Sequence, residues 1–291
     1  MDKADLAAVL ALAAAFFIAV GDVIHQRTAH EVTDEPVGHV ALFLRLLRDG
    51  QWWLGSGIAA IGFLFQAAAL GLGSVLLVQA LLVTSLLFAL PISARWSDRR
   101  VTRWEWVWAA LLAGAVGVIV TVGDPSAGTS HASLHTWMWV VAVLGPALAL
   151  CMLGAQMATP TVSAVLLAVV SGALWGLFAV LTKAVVHRLD EVGWSHILKL
   201  LTVPELYVWV AVALAGTAMQ QASFRAGPLT ASLPTMTVTE PLIGSALGVA
   251  VLGETLRPGE AGTFVLVAAV VAMVVATVAL ARGQAATQAP A

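Results

Sequence analysis

The sequence predicts an all-α fold, a polytopic membrane bundle of about 9–10 transmembrane helices built from two inverted repeats. Three observations point to it. The chain of 291 residues is 60% hydrophobic and only 10% charged, where soluble domains run at about 45–50% apolar and roughly 25% charged. Apolar runs long enough to cross a bilayer, roughly twenty residues each, recur along its length. The order of elements in the first half returns in the second.

Nine such runs can be read, at 6–24, 52–70, 74–94, 104–123, 135–153, 161–186, 205–224, 227–252 and 261–280. They are continuous rather than alternating, which selects helices over barrel strands. Lys3 ahead of the Ala-rich first run resembles a signal peptide, but the spans that follow favour an uncleaved first helix. Trp52, Trp53, Trp96, Trp104, Trp106, Trp137, Trp139 and Tyr207 stand at run ends, where amphipathic rings prefer the headgroup level. Segment 36–48 is apolar around Arg45. Its core would reach only about 18 Å as a helix, so it is either interfacial or a short tilted span that would turn the N-terminus inward. The chain thus divides into a first repeat (1–123), a loop and linker helix (124–160), a second inverted repeat (161–282) and a disordered tail (283–291).

With the N-terminus outside, the inner loops hold Arg27, Arg45, Arg48, Arg95, Arg99, Arg100, Arg103, Arg225 and Arg282. The outer side holds Lys3, Lys183, Arg188, Lys199 and Arg257, and nine against five favours this orientation. It places Arg99 in the cytoplasm and the 126–130 loop outside, in a protein expected in a bacterial plasma membrane.

Several function classes are excluded on composition and motif. A formal net charge of -2 argues against nucleic acid as a partner. Cys151 is the sole cysteine, so no intramolecular disulfide or thiolate metal cage is available. No P-loop, G-x-S-x-G or catalytic carboxylate pair is present, and neither enzyme activity nor a cofactor is expected. His131 and His135 flank a loop without a carboxylate cluster, so no metal ligands are assigned.

Repetition locates the candidate site. The stretches 66–84 and 220–241 each end one run with a glutamine, pass a glycine-containing turn and open another run with small or hydroxyl residues. Before each come a helix with a glycine (Gly21, Gly176), a basic amphipathic segment and a Trp-bearing helix. The fifth run is left over, and an odd linker makes the second unit enter from the opposite face.

In the eighth run Thr230, Pro234, Thr237, Pro241, Gly244 and Gly248 recur every three or four residues, forming one helix face. Each proline lacks an amide hydrogen, so the carbonyls of Thr230 and Thr237 lose their helical partners. Such carbonyls at membrane depth are tolerated only against protein or a wet cavity. Glu240 lies mid-run beside Pro241, and a carboxyl at that depth marks a functional site by default. The substrate-binding set read from the sequence is Glu240, Thr237, Thr230, Gln79, Gln66, Trp175, Asp22 and Lys183. Glu240 is expected to couple protonation or cation binding to transport, with Lys183 or a cation balancing its charge.

Simpler roles compete at each position. Gln66 and Gln79 would bond across helices, Lys183 would snorkel to the interface, and Asp22 would cap its helix or pair with Arg27. The small stripes at Gly55, Ala59 and Gly62, and at Gly172 and Gly176, would be packing faces. Glu254 is read as a loop residue.

The stretch QASFRAGPLTASLPTMTVTEPL (221–242), the VLGETL ending at Leu256 and the first-half counterpart GSVLLVQALLVTSLLFALP (73–91) resemble the drug/metabolite transporter superfamily. The likeness is closest to its EamA/NIPA-like branch, the NIPA-type magnesium transporters and their bacterial relatives, and covers roughly residues 5–282. It implies two inverted halves around a central cavity. Gln79–Ala80 stands where eukaryotic members carry Thr-Pro, and intramembrane acids are few. The expected function is therefore a secondary transporter or facilitator of a small solute, with alternating access. The alternatives are a NIPA-type magnesium or divalent-cation transporter and a non-transporting membrane scaffold subunit. The expected partners are a small-molecule or ion substrate and the lipid bilayer, and a homodimer is allowed.

Overall fold

The computed structural model describes residues 2–32, 50–96, 100–126, 128–129, 132–193, 199, 201–227, 229–257 and 262–288, apart from the side chains of 25–32, 52, 229–230 and 284–288. Segment 36–48, Arg99, His131 and the side chains of Arg27 and Thr230 lie outside the described residues.

Among the described residues the chain is all-helical, with ten α-helices: α1 (Lys3–Val32), α2 (Gly50–Leu72), α3 (Val75–Leu82), α4 (Ser85–Trp96), α5 (Arg103–Gly123), α6 (Leu134–Met157), α7 (Pro160–Val192), α8 (Pro204–Ala226), α9 (Leu229–Leu252) and α10 (Gly262–Gln288). Eight stretches are long and apolar enough to cross a membrane, with α3 and α4 together making one of them. This fits an integral membrane protein. Helix α8 falls short of that apolarity, because Glu205, Gln220, Gln221 and Arg225 dilute it. Helix α10 runs on past Gly283 to Gln288, into the stretch expected to be irregular.

Helix starts follow from local chemistry. Ser74, Thr102 and Ser133 accept from the amides of Leu77, Glu105 and Thr136, supplying partners that a first turn lacks. Thr102 and Glu105 complete a reciprocal capping box. Pro160 and Pro204 open α7 and α8, at positions where a missing amide hydrogen costs nothing. The run 74–94, expected as one helix, is split at Val83 and Thr84. There the amide and hydroxyl of Thr84 both donate to the carbonyl of Leu81, which tightens the last turn and ends α3.

Close approaches at glycines fix the helix directions. A Cβ on Gly73 would stand 2.7 Å from Ala7, and one on Gly71 would stand 2.8 Å from Val186. The start of α1 and the end of α7 therefore flank the same α2–α3 turn, and the two helices run in opposite directions. The same end of the bundle carries the loops after α5 and α9, which meet through the backbone of Ser126 and Thr255. We refer to it as the Glu254 end. The opposite end holds Arg95, Arg103 and Arg225, since α5 spans the bundle between Arg103 and Gly123.

Packing follows the small stripes. On α2, Gly62 meets Ile18 and Phe17, and Gly21 of α1 meets Gly55 and Ala59, so these stripes are helix-packing faces. On α7, Gly172 and Gly176 admit the backbone of α9 between Met236 and Gly244. Helix α9 packs on α3 and α7 and has no comparable packing on α1 or α4.

Candidate functional site

The α7–α9 crossing presses directly behind Glu240. A Cβ on Gly176 would stand 2.8 Å from the carbonyl oxygen of Glu240 and 2.6 Å from the amide of Gly244, so only glycine permits this approach. One turn along α9, Gly244 receives the side chain of Gln79 from α3, whose Nε2 would lie 2.4 Å from any Cβ there. Gln79 is 1% exposed, and its Nε2 has no hydrogen-bond partner among the described residues. The interhelical bond expected as a simpler role for Gln79 is therefore not made by this donor. An unpaired buried donor costs about 1–3 kcal/mol, which makes Gln79 an expensive residue to keep for packing alone.

Glu240 is half-buried, and the carboxyl of Asp22 on α1 is near enough to act on it electrostatically. Asp22 itself is exposed. Helix α9, which carries Glu240, does not cover α1 or α4. No hydrogen bond or ion pair joins either carboxyl to another described residue.

The remaining sequence candidates scatter. Thr237 is half-buried, and its hydroxyl donates to the carbonyl of Leu233 at 2.8 Å, so its own helix uses it. The side chain of Thr230 is outside the described residues. Gln66 is buried in α2, 8% exposed. Trp175 turns away from Glu240: its indole lies 3.4 Å from where a Cβ on Gly216 of α8 would be. It joins an aromatic wall with Phe178, Phe63 and Trp209, in which Trp209 donates to Thr182.

Lys183 corrects the sequence reading most clearly. It neither snorkels to the interface nor balances Glu240. Its Nζ lies 2.6 Å from Oε1 of Glu254, with the two side chains 6% and 0% exposed. Lys183 is seven residues beyond Gly176, about 10 Å along the axis from the α7–α9 crossing.

Glu254 was expected as a loop residue because it follows an apolar run, yet it lies inside the bundle. Its backbone explains the difference. Gly253 adopts a left-handed φ of 65°, and the amide of Glu254 donates back to the carbonyl of Gly248 at 3.1 Å, so a glycine cap turns the chain back over the end of α9. That cap folds Glu254 back into the bundle, where Gly248 leaves room: a Cβ there would be 2.8 Å from Oε2. The carboxylate then accepts the amides of Val75 at 2.8 Å and Leu76 at 3.0 Å, at the positive end of α3. Two amides and one ammonium satisfy a charge that would otherwise be prohibitive to bury. A lysine inside an apolar run with no nearby acid, together with L-G-E after another run, was the available signal.

The fold and this interior chemistry define a helical integral membrane protein with charged groups held inside its bundle. Over 277 residues, covering 95% of each chain, it is 38% identical to an uncharacterized protein of Corynebacterium glutamicum, and it belongs to the same family as that protein. No family model matches the chain. No solved structure matches it.

Proposed function

We propose that this chain is a secondary transporter or facilitator that moves a small solute by alternating access, in the plasma membrane of a bacterium. The observation that carries the reading is Glu240 midway along α9, which packs on α3 and α7 but not comparably on α1 or α4; we read the space this leaves beside the exposed Asp22 as a recess open toward the Arg95 end. Carboxyls at that depth without a basic partner among the described residues are expensive and mark a solute or ion path. The opposite directions of α1 and α7 support two inverted halves, in keeping with a place in the EamA/NIPA-like branch of the drug/metabolite transporters.

Burial of Lys183 removes it from the outer loop charges, which strengthens the expected orientation. The recess then opens to the cytoplasm. Within the transporter reading, a small organic solute needs mostly apolar walls and a few polar anchors, which Gln79, Glu240 and Asp22 provide. A divalent cation is the second reading, favoured by the approach of Asp22 to Glu240, since hard cations take oxygen ligands.

The test begins with a thermal-shift screen of purified protein against ions, metabolites and lipids. Uptake of the stabilising solute into proteoliposomes is then measured for wild type, Asp22→Asn and Glu240→Gln. Uptake by wild type and its loss in both variants is the expected outcome. Stabilisation without uptake by any form would favour a non-transporting scaffold.

A further inference from the structure

The Glu254 end is sealed by contacts that converge on one carboxylate. Glu254 comes from the α9–α10 loop, Lys183 from α7, and the amides of Val75 and Leu76 from the first half of the chain. A strap from the α5–α6 loop lies over them. The amide and hydroxyl of Thr129 both donate to the carbonyl of Leu252, at 2.7 and 3.1 Å, and Ser126 pairs with Thr255. Gly128 passes so close that a Cβ would overlap the Leu252 carbonyl oxygen. The same helix that is pinned here, α3, stops at Val83–Thr84, and beyond that break α4 no longer packs on α9. Helix α9 is thus fastened to α3 at the Glu254 end and free of α4 at the other, where α10 instead packs on α4 and α5.

We propose that the Lys183–Glu254 pair, docked on the N-terminus of α3, is the gate that closes the recess at the Glu254 end, and that breaking it opens this end while the Arg95 end closes. This rests on the transporter reading. The chemistry suits a gate better than a hinge. The carboxylate is held by contacts made in one arrangement only, so their free energy biases one state over the other. A purely apolar seal would re-form in many registers, whereas two amides and one ammonium specify a single docked position. Separating α3 from the α9–α10 loop would strip both amides from Glu254 but leave it the ammonium of Lys183 on α7, so the pair undocks from α3 as a unit with entry of water.

Single cysteines in a Cys151→Ala background test this without any solute. Val75→Cys reports the Glu254 end, since Val75 is fully buried beside Gly248 and contributes only its backbone amide to Glu254. Thr237→Cys reports the recess, since Thr237 is half-buried on α9 one helical turn before Glu240. Labelling by an impermeant maleimide is followed from each side of oriented proteoliposomes. Glu254→Gln is expected to raise labelling at position 75 by about tenfold or more and to lower it at 237, whereas Lys183→Arg leaves both near wild type. Lys183→Gln keeps both amide bonds to Glu254 and makes the same comparison if Glu254→Gln does not fold. Unchanged labelling overturns the gate, and so does a rise at both positions together, which is what a merely loosened bundle would give. Failure of both variants to fold would assign the pair to stability and equally overturn it. Reciprocal labelling in a protein that carries no solute would count against the transport reading alone. Uptake by wild type with unchanged labelling in the variants would count against the gate alone.

Discussion

Lys183 has no acid within a turn of it on α7, so its charge must be met from elsewhere, and Glu254 meets it from 71 residues away. Removing one partner of a buried pair leaves an uncompensated charge and typically costs about 3–5 kcal/mol. Lys183→Met is therefore expected to lower the unfolding free energy by about that amount, read by denaturation in detergent micelles. The double variant Lys183→Met/Glu254→Gln should lose less than the sum of its singles, because the two residues act as one unit. Co-melting of Lys183→Met with wild type would show that the pair contributes nothing. Gln79 poses the opposite case. Its unpartnered amide opposes folding, so Gln79→Leu should raise stability by about 1 kcal/mol while reducing uptake. A destabilised Gln79→Leu with full uptake would instead assign Gln79 to helix packing.

Helix contacts at Gly176 and Gly244 look alike in sequence but differ in what they face. A methyl on Gly176 meets the backbone of α9, which cannot yield, whereas one on Gly244 meets the far end of Gln79, which can swing aside. Gly176→Ala is expected to cost about 1–3 kcal/mol as overpacking, and Gly244→Ala clearly less, by thermal unfolding of the purified variants. Equal Tm values for the two would contradict the crossing described here. Such distinctions also mark how far the sequence could be read. The long helices were legible because continuous apolar runs leave few other folds, and the small stripes on α2 and α7 did prove to be packing faces. The break at Val83–Thr84 was not, since no glycine or proline marks it and the competing bonds to Leu81 arise only once the turn forms. Among the candidate residues, Gln79 came up against Gly244, one turn from Glu240, and Asp22 is linked to Glu240 only through its charge. Trp175 and Lys183 diverged, because periodicity gives a helix face but not the neighbour it meets. Glu254 was hidden because its cap, rather than its own residue type, turns it inward.

For the whole molecule, orientation is the first quantity to fix. The arginines at 95 and 103 and the 126–129 strap lie at opposite ends of α5, so a thiol at 99 and one at 130 should label from opposite sides of the membrane. With Cys151→Ala as background, an impermeant reagent added outside cells is expected to label Ser130→Cys and spare Arg99→Cys; the reverse pattern would invert the molecule and turn the recess outward. The most direct measurement of the central claim is uptake by proteoliposomes of the solute that stabilises the protein most, with wild type, Glu240→Gln and empty liposomes compared at equal folded protein from acid to neutral pH. Glu240→Gln preserves the side-chain shape while removing the charge from the recess. Wild-type uptake well above empty liposomes, reduced and less dependent on pH in Glu240→Gln, is the result this account predicts. Uptake by Glu240→Gln equal to wild type at every pH, or no uptake by wild type above empty liposomes, would contradict it.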